Sequence, residues 1–340
     1  MQTPSPVVLH VRYVVEDWSS VAPGELLGAV LSDPGSVAAL LVGALAGLVA
    51  LVAVPYADRV PDVRVARRTL ASYRPYLPWM LRLSLGLPLV GAGFAGYLIT
   101  PAVPAEARLL QVAIGFLLLF GLAVRAVAAI GLVVYLSALA ATPEMLLAFE
   151  YLGGFLGILI MGAGQPSADG LFRRIAVTEG TVLGRLAPLH RAGEDVVRRL
   201  GGTPDRLAVV LRGALGVTFI YLGFVEKLLA PGVALAVVEK YALTNVVPVS
   251  PELWVFGAGV AEVAVGLLLL SGIATRAVAG LAFGLFTLTL LGLPDDPVLA
   301  HVSLFGLSSA LLVTGSGPVT LPGAVAAVRA RLGRPRATGG

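Results

Sequence analysis

Five polar residues stand in or beside stretches otherwise built of aliphatic side chains: Glu226, Lys227, Tyr241, Glu262 and His301. Glu262 belongs to "VAEVAVGLLLLSGIATRAVA", Val260 to Ala279, a run long enough to cross a bilayer. A charge at that depth costs about 2.5 to 3.5 kcal/mol on insertion scales, so its retention calls for a partner or a task. On a helix Glu262 shares its face with Gly259 and Gly266, which turns the carboxylate toward a neighbouring helix and away from lipid. Lys227 follows Gly223 by one turn and Gly216 by three, on a similar small-residue face. Counting along helices from their outer ends puts Glu262 about 14 Å deep, His301 about 6 Å and Lys227 about 3 Å. These residues form a descending polar column. The direct Glu262–Lys227 pair falls short by about 10 Å of depth, a gap for the lysine stem and water to cover. Such a column is able to bind a ligand or carry a proton, and is equally able to be an ion pair that only holds helices together.

Metal and haem chemistry are set aside. The chain has no cysteine, which removes disulfides, thiolate sites and iron–sulfur clusters. Its histidines are His10, His190 and His301, with no ligand spacing on one helix and His190 expected on the opposite side of the membrane from the other two. No Ser-His-Asp or Cys-His centre is suggested.

The elements that position the column are transmembrane helices. Hydrophobic residues make up 57% of the 340 positions, charged residues 13%, and mean hydropathy is +0.91. Nine apolar windows of roughly span length lie near 37–55, 77–99, 107–124, 126–143, 145–164, 207–229, 253–272, 276–293 and 297–314. Arginines sort by alternate loop: Arg59, Arg64, Arg67, Arg68 and Arg74; then Arg173, Arg174, Arg185, Arg191, Arg198, Arg199 and Arg206; then Arg329, Arg331, Arg334 and Arg336. The opposite loops hold Glu16, Asp17, Glu25, Asp33, Glu144, Asp295 and Asp296. This pattern places the N-terminus outside and the C-terminus in the cytoplasm of a multi-pass cell-membrane protein. No signal peptide is expected, and residues 1–36 are read as a short exported tail. The basic 165–206 segment enforces topology and touches anionic lipid; without interleaved aromatics it is not a nucleic-acid surface. "GAGFAG" at Gly91–Gly96 is read as close helix packing, as are Gly43 with Gly47, Gly153 with Gly157, and Gly280 with Gly284.

An internal repeat organises these helices. "QVAIGFLLLFGLAVRAVA" (111–128) aligns on "EVAVGLLLLSGIATRAVA" (262–279) with 12 of 18 positions identical. "RLSLGLPLVGAGF" (82–94) pairs with "RGALGVTFIYLGF" (212–224), and "LGGFLGILIMGAG" (152–164) with "FGLSSALLVTGSG" (305–317). Each unit has an even number of spans, so the two are parallel repeats about an axis along the membrane normal. The fold expected is all-α and polytopic: an exported tail (1–36), a first span with its Arg-rich loop (37–76), a four-helix repeat (77–164), a basic linker (165–206), a second four-helix repeat (207–323) and a basic tail (324–340). Arg125 and Arg276 are anchors at inner helix ends. Glu150 enters the fifth span near the outside without a repeat counterpart and ranks last among the buried charges.

The second unit resembles the DoxX family of small four-helix membrane proteins, on Arg212 and Gly216 leading to "GFVEKL" (Gly223–Leu228), on the glutamate helix at Glu262, and on "FGLSSALLVTGSGPVTL". The first unit reads as a diverged DoxX-like repeat. In the family the exit commonly runs on to Ser-Leu-Asp; here it reads Val319, Thr320, Leu321, Pro322, without an acid. The resemblance implies a membrane subunit or anchor of a redox-associated, quinone-linked complex, with Glu262, Lys227, His301, Glu226 and Tyr241 as ligand-site candidates. With no intrinsic cofactor, such a chain is at most one subunit of an oxidoreductase, with a quinone and a redox partner subunit supplying the rest. The alternative is a non-enzymatic carrier or scaffold that binds a small anion or a partner protein at the same outward-facing column. The first repeat serves as a control, with Gln111, Tyr97, Gly96 and Ala148 standing at the places of Glu262, Lys227, Glu226 and His301. The longer 230–252 segment, with Glu239, Lys240, Tyr241 and Asn245, is either a lid over the column or a spacer.

Overall fold

A computed structural model of the chain describes residues 14–15, 17–104, 107–178, 199 and 203–332. His10, His190, most of the basic linker and Arg334 and Arg336 lie outside the described residues. The helices are α1 (Pro23–Ser32), α2 (Pro34–Ala53), α3 (Pro61–Ser72), α4 (Leu77–Ala95), α5 (Arg108–Phe120), α6 (Val124–Ala141), α7 (Glu150–Met161) and α8 (Ala168–Val177). The second half adds α9 (Leu207–Ile220), which runs on as a π-helix over Tyr221–Leu229, then α10 (Pro231–Lys240), α11 (Pro251–Ser271), α12 (Thr275–Gly292), α13 (Val298–Thr314) and α14 (Leu321–Leu332). Five of these helices open on a proline at their first position, where its missing N–H is no loss. Six helical stretches are long and apolar enough to cross a membrane, and α5, α7 and α13 are shorter apolar helices. Among the described residues, β-type pairing is limited to one bridge, Tyr97 with Pro104. The chain is an all-α, multi-pass membrane protein.

Matching residues of the two halves make matching contacts. Gly86 faces the Gly115 carbonyl oxygen as Gly216 faces that of Gly266, so α4 and α5 approach as closely as α9 and α11. A Cβ at Gly93 meets Val112 and the Arg108 carbonyl; one at Gly223 meets Val263 and the Gly259 carbonyl. In lipid, where apolar side chains gain little by leaving the solvent, such backbone approach supplies the van der Waals contact that holds helices together. Gly121 and Gly272 end α5 and α11 in the left-handed region, each at φ 71°. Arg125 Nε donates to Leu159 O at 3.0 Å and Arg276 Nε to Leu312 O at 2.9 Å. These arginines therefore satisfy carbonyls at the ends of α7 and α13, a role beyond the topological anchoring expected of them.

The halves dock by exchanging first and last helices. Gly153 of α7 packs on Ala214 of α9, and Gly306 of α13 packs on Ser84 of α4. One continuous core results, running through Leu81, Leu85, Phe155, Leu211, Leu215 and Leu307. A smaller cluster caps the second half: Val14, Val15 and Leu26 pack with Val237 and Val238 of α10, Val255 of α11 and Leu293.

Two expectations are corrected by this packing. Residues 17–32 are not a tail, because Leu26 and Val30, one turn apart on α1, are buried at 2% and 0% exposure. Close packing also fails for some of the glycine pairs. Gly91, Gly93, Gly153 and Gly157 do make close contacts, and Gly96 caps α4 at φ 92°. Gly43, Gly47 and Gly284 have nothing within 4 Å among the described residues, and Gly280 reaches only ordinary contact with Leu312. Along α2 only Ser36 is buried, because its apolar surface turns away from the bundle on every side.

Candidate functional site

Lys227 Nζ donates to Glu262 Oε2 at 2.7 Å. The depth gap expected from the sequence is absent, for two reasons. Leu229 is not the bundle's surface: the chain continues into α10, whose Pro231, Gly232, Val233 and Ala234 are buried, so Lys227 lies beneath a cap. The helix also does not end where its first-half counterpart does. Glu226 stands at the place of Gly96, which stops α4 in the left-handed region, and here the chain winds on as a wider π-turn carrying Lys227. Gly223 lets Glu262 approach, since a Cβ there would press on the Glu262 Cβ and the Gly259 carbonyl.

The side chains of Lys227 and Glu262 remain 22% and 21% exposed. An ammonium has three donors, and the described hydrogen bond uses one of them. Two donors and the second carboxylate oxygen remain available to a third group, so the pair is able to hold a polar ligand and exchange a proton with it.

The expected single column separates into distinct pairings. His301, 3% exposed, lies with Nε2 3.5 Å from Asp296 Oδ2 and its ring edge-on to Phe286. Tyr241 belongs to the cap: its hydroxyl donates to Asp295 Oδ2 at 2.9 Å, which also accepts from Lys240 at 2.9 Å. Lys240 reaches further, to the Val14 carbonyl at 2.8 Å, tying the N-terminal segment to α10 and the α12–α13 loop. Within the 230–252 segment, α10 and Leu243 are thus a packed cap, while residues 245–248 are exposed. Glu226 is buried at 2% exposure and lies within electrostatic reach of Tyr221.

Gln111, in the place of Glu262, is spent differently. Its amide donates to Leu89 O at 3.1 Å and Tyr97 O at 3.2 Å, and its oxygen accepts from Ile99 N at 3.2 Å. Position 97 corresponds to 227, so the same two places touch in both halves, once through backbone and once through an ion pair.

Sequence reasoning underrated Glu150. It is 2% exposed and accepts from Thr218 Oγ1 at 3.2 Å and Ser303 Oγ at 2.9 Å, at the junction of the halves. Extending the 152–164 and 305–317 alignment by two residues sets Glu150 opposite Ser303, so it does have a counterpart.

Paired four-helix units meeting through backbone-close glycines, with the Lys227–Glu262 pair in the second unit, define a helical-bundle membrane protein with a polar site near one end. Residues 207–301 match the DoxX family model. The match includes Lys227, Glu262 and His301. No curated protein and no solved structure matches the chain.

Proposed function

We propose that the chain is a membrane subunit or anchor of a quinone-linked redox complex in the cell membrane, and that Lys227 and Glu262 receive the quinone headgroup. The observation that carries this reading is the partly exposed ion pair with two ammonium donors unspent, set within the residues that match the DoxX family model. A quinone supplies two carbonyl oxygens that accept hydrogen bonds and take up protons on reduction. Lys227 is the donor to one carbonyl, and Glu262 holds the lysine in place and exchanges protons with the surroundings. A chain without cysteine has no thiolate relay, so the electrons come from a partner subunit. The loop arginines support nine spans with the N-terminus outside and the C-terminus in the cytoplasm.

A second reading, a scaffold that binds a partner protein, is favoured by α2, whose Gly43 and Gly47 touch nothing within 4 Å among the described residues. Titration of a short-chain quinone against the protein in nanodiscs separates the two. Binding that weakens at least tenfold in Lys227→Met supports the quinone site, since a hydrogen bond to a charged group contributes about 1.5–3 kcal/mol. Equal binding by the wild type and Lys227→Met, or none by either, favours the scaffold.

A further inference from the structure

The first half contains an acid that the second half lacks, and the residues around it are otherwise matched. Asp169 Oδ1 accepts from Ala123 N at 2.7 Å and Oδ2 from Val124 N at 2.9 Å, capping the N-terminus of α6. Its own N–H donates to Gly121 O at 2.9 Å. Beside it the Arg82 guanidinium, 1% exposed, lies against Gly121, bonds Pro166 O and is within electrostatic reach of the Asp169 carboxylate. One side chain thus caps a helix and balances a buried cation.

In the second half the Arg212 guanidinium, 3% exposed, lies against Gly272 and bonds Val319 O in the same way. Helices α8 and α14 start at Ala168 and Leu321, which sets Pro322 opposite Asp169. Among the described residues no side chain is hydrogen-bonded to the first N–H groups of α12 as Asp169 is to those of α6. The Thr275 hydroxyl, on a residue 1% exposed, has no hydrogen-bond partner among the described residues, and neither do Arg212 Nε and Nη1. Arg82 Nε and Nη1 are likewise unbonded, so what distinguishes the halves is the counter-charge and the cap. A buried guanidinium without an anion nearby is a costly arrangement.

The surroundings indicate what supplies the charge. A groove starts at Ile273, next to Gly272, and is lined by Leu321, Pro322, Val325 and Ala326, with Arg329 along it. It is apolar apart from that arginine. Residues 321–329 of α14 are all exposed, so α14 lies on the outside of the bundle. We propose that this site binds the phosphate of an anionic phospholipid: Arg212, the Thr275 hydroxyl and the first N–H groups of α12 take the phosphate, and an acyl chain lies in the groove. Helix N-termini and guanidinium groups are matched to phosphate oxygens, and the groove distinguishes a lipid from a free ion. The phosphate does for the second half what Asp169 does for the first.

The test uses the full-length protein in nanodiscs of phosphatidylcholine with or without phosphatidylglycerol, read by melting temperature and by native mass spectrometry of retained lipid. Wild type is expected to melt about 3 °C or more higher with phosphatidylglycerol. Pro322→Asp, which installs the first half's acid, is expected to raise the melting temperature in phosphatidylcholine alone, to lose most of the phosphatidylglycerol gain and to retain one fewer such lipid. An unchanged gain in Pro322→Asp, or no gain in wild type, overturns the proposal. The same gain from inorganic phosphate in pure phosphatidylcholine also overturns it, by assigning the site to a free anion. Because Pro322→Asp adds a favourable contact, its outcome does not depend on a variant that fails to fold.

Discussion

Glu150 accepts a hydrogen bond from Ser303, the residue that occupies its own place in the other half of the molecule, at 2.9 Å. Equivalent positions touch only near an axis that relates the two halves. The contact therefore marks where the halves meet, and a carboxylate is retained there with hydroxyls from α9 and α13 as its described partners.

Glu150→Gln should be tolerated, because the amide oxygen accepts from one of the two hydroxyls of Thr218 and Ser303 and the amide N–H donates to the other. Glu150→Leu should destabilise by about 1–3 kcal/mol, the cost of leaving buried donors unsatisfied. Thermal unfolding of both variants in one detergent checks the order. A leucine variant as stable as wild type would remove the junction role.

The cap should be held by charge between the two pH extremes and loosen at both. Hydrogen bonds from Lys240 and then Tyr241 hold Asp295 below the usual carboxylate range, and the bond to Asp295 holds Lys240 above the ordinary lysine value. A depressed acid stabilises above its unfolded value of about 3.9 and loses that contribution as pH falls through the folded value. A raised lysine contributes fully below about 10.4 and loses its contribution as pH rises through the folded value. Amide exchange of residues 231–245, corrected for intrinsic rates, should therefore show protection that declines at both edges, and Asp295→Asn should abolish both declines.

Orientation is open to direct labelling, since the chain has no cysteine. Ser20 and Ser72 are both exposed and lie on either side of the apolar α2. Single cysteines at these two positions should react with an impermeant reagent from opposite faces, Ser20→Cys from outside. Labelling from one face would contradict the α2 span and the expected topology.

What the sequence disclosed depended on how local the cause was. The small-residue faces Gly216–Gly223 and Gly259–Gly266 were legible as packing faces because backbone contact excludes a side chain. The Lys227–Glu262 contact was misjudged because Leu229 was taken for the membrane surface, when a buried α10 lies beyond it. Glu150 was missed because Thr218 and Ser303 are 68 and 153 residues away and meet it only once the halves exchange helices. Asp169 carried a readable signal, an acid two residues after Ser167 at the first repeat's exit, which comparison of the two exits would have found.

The central claim is that Lys227 and Glu262 are paired in order to serve a ligand. Lys227→Met, Glu262→Gln and the double variant, each assayed for melting temperature and short-chain quinone binding, test it most directly. The expected result is quinone binding at least tenfold weaker in both single variants and in the double variant, with stability changed by no more than about 1 kcal/mol, as befits a pair still partly exposed. Single variants that lose about 3 kcal/mol or more and a double variant that regains it, with quinone binding unchanged throughout, would make the pair a structural tie and contradict the account.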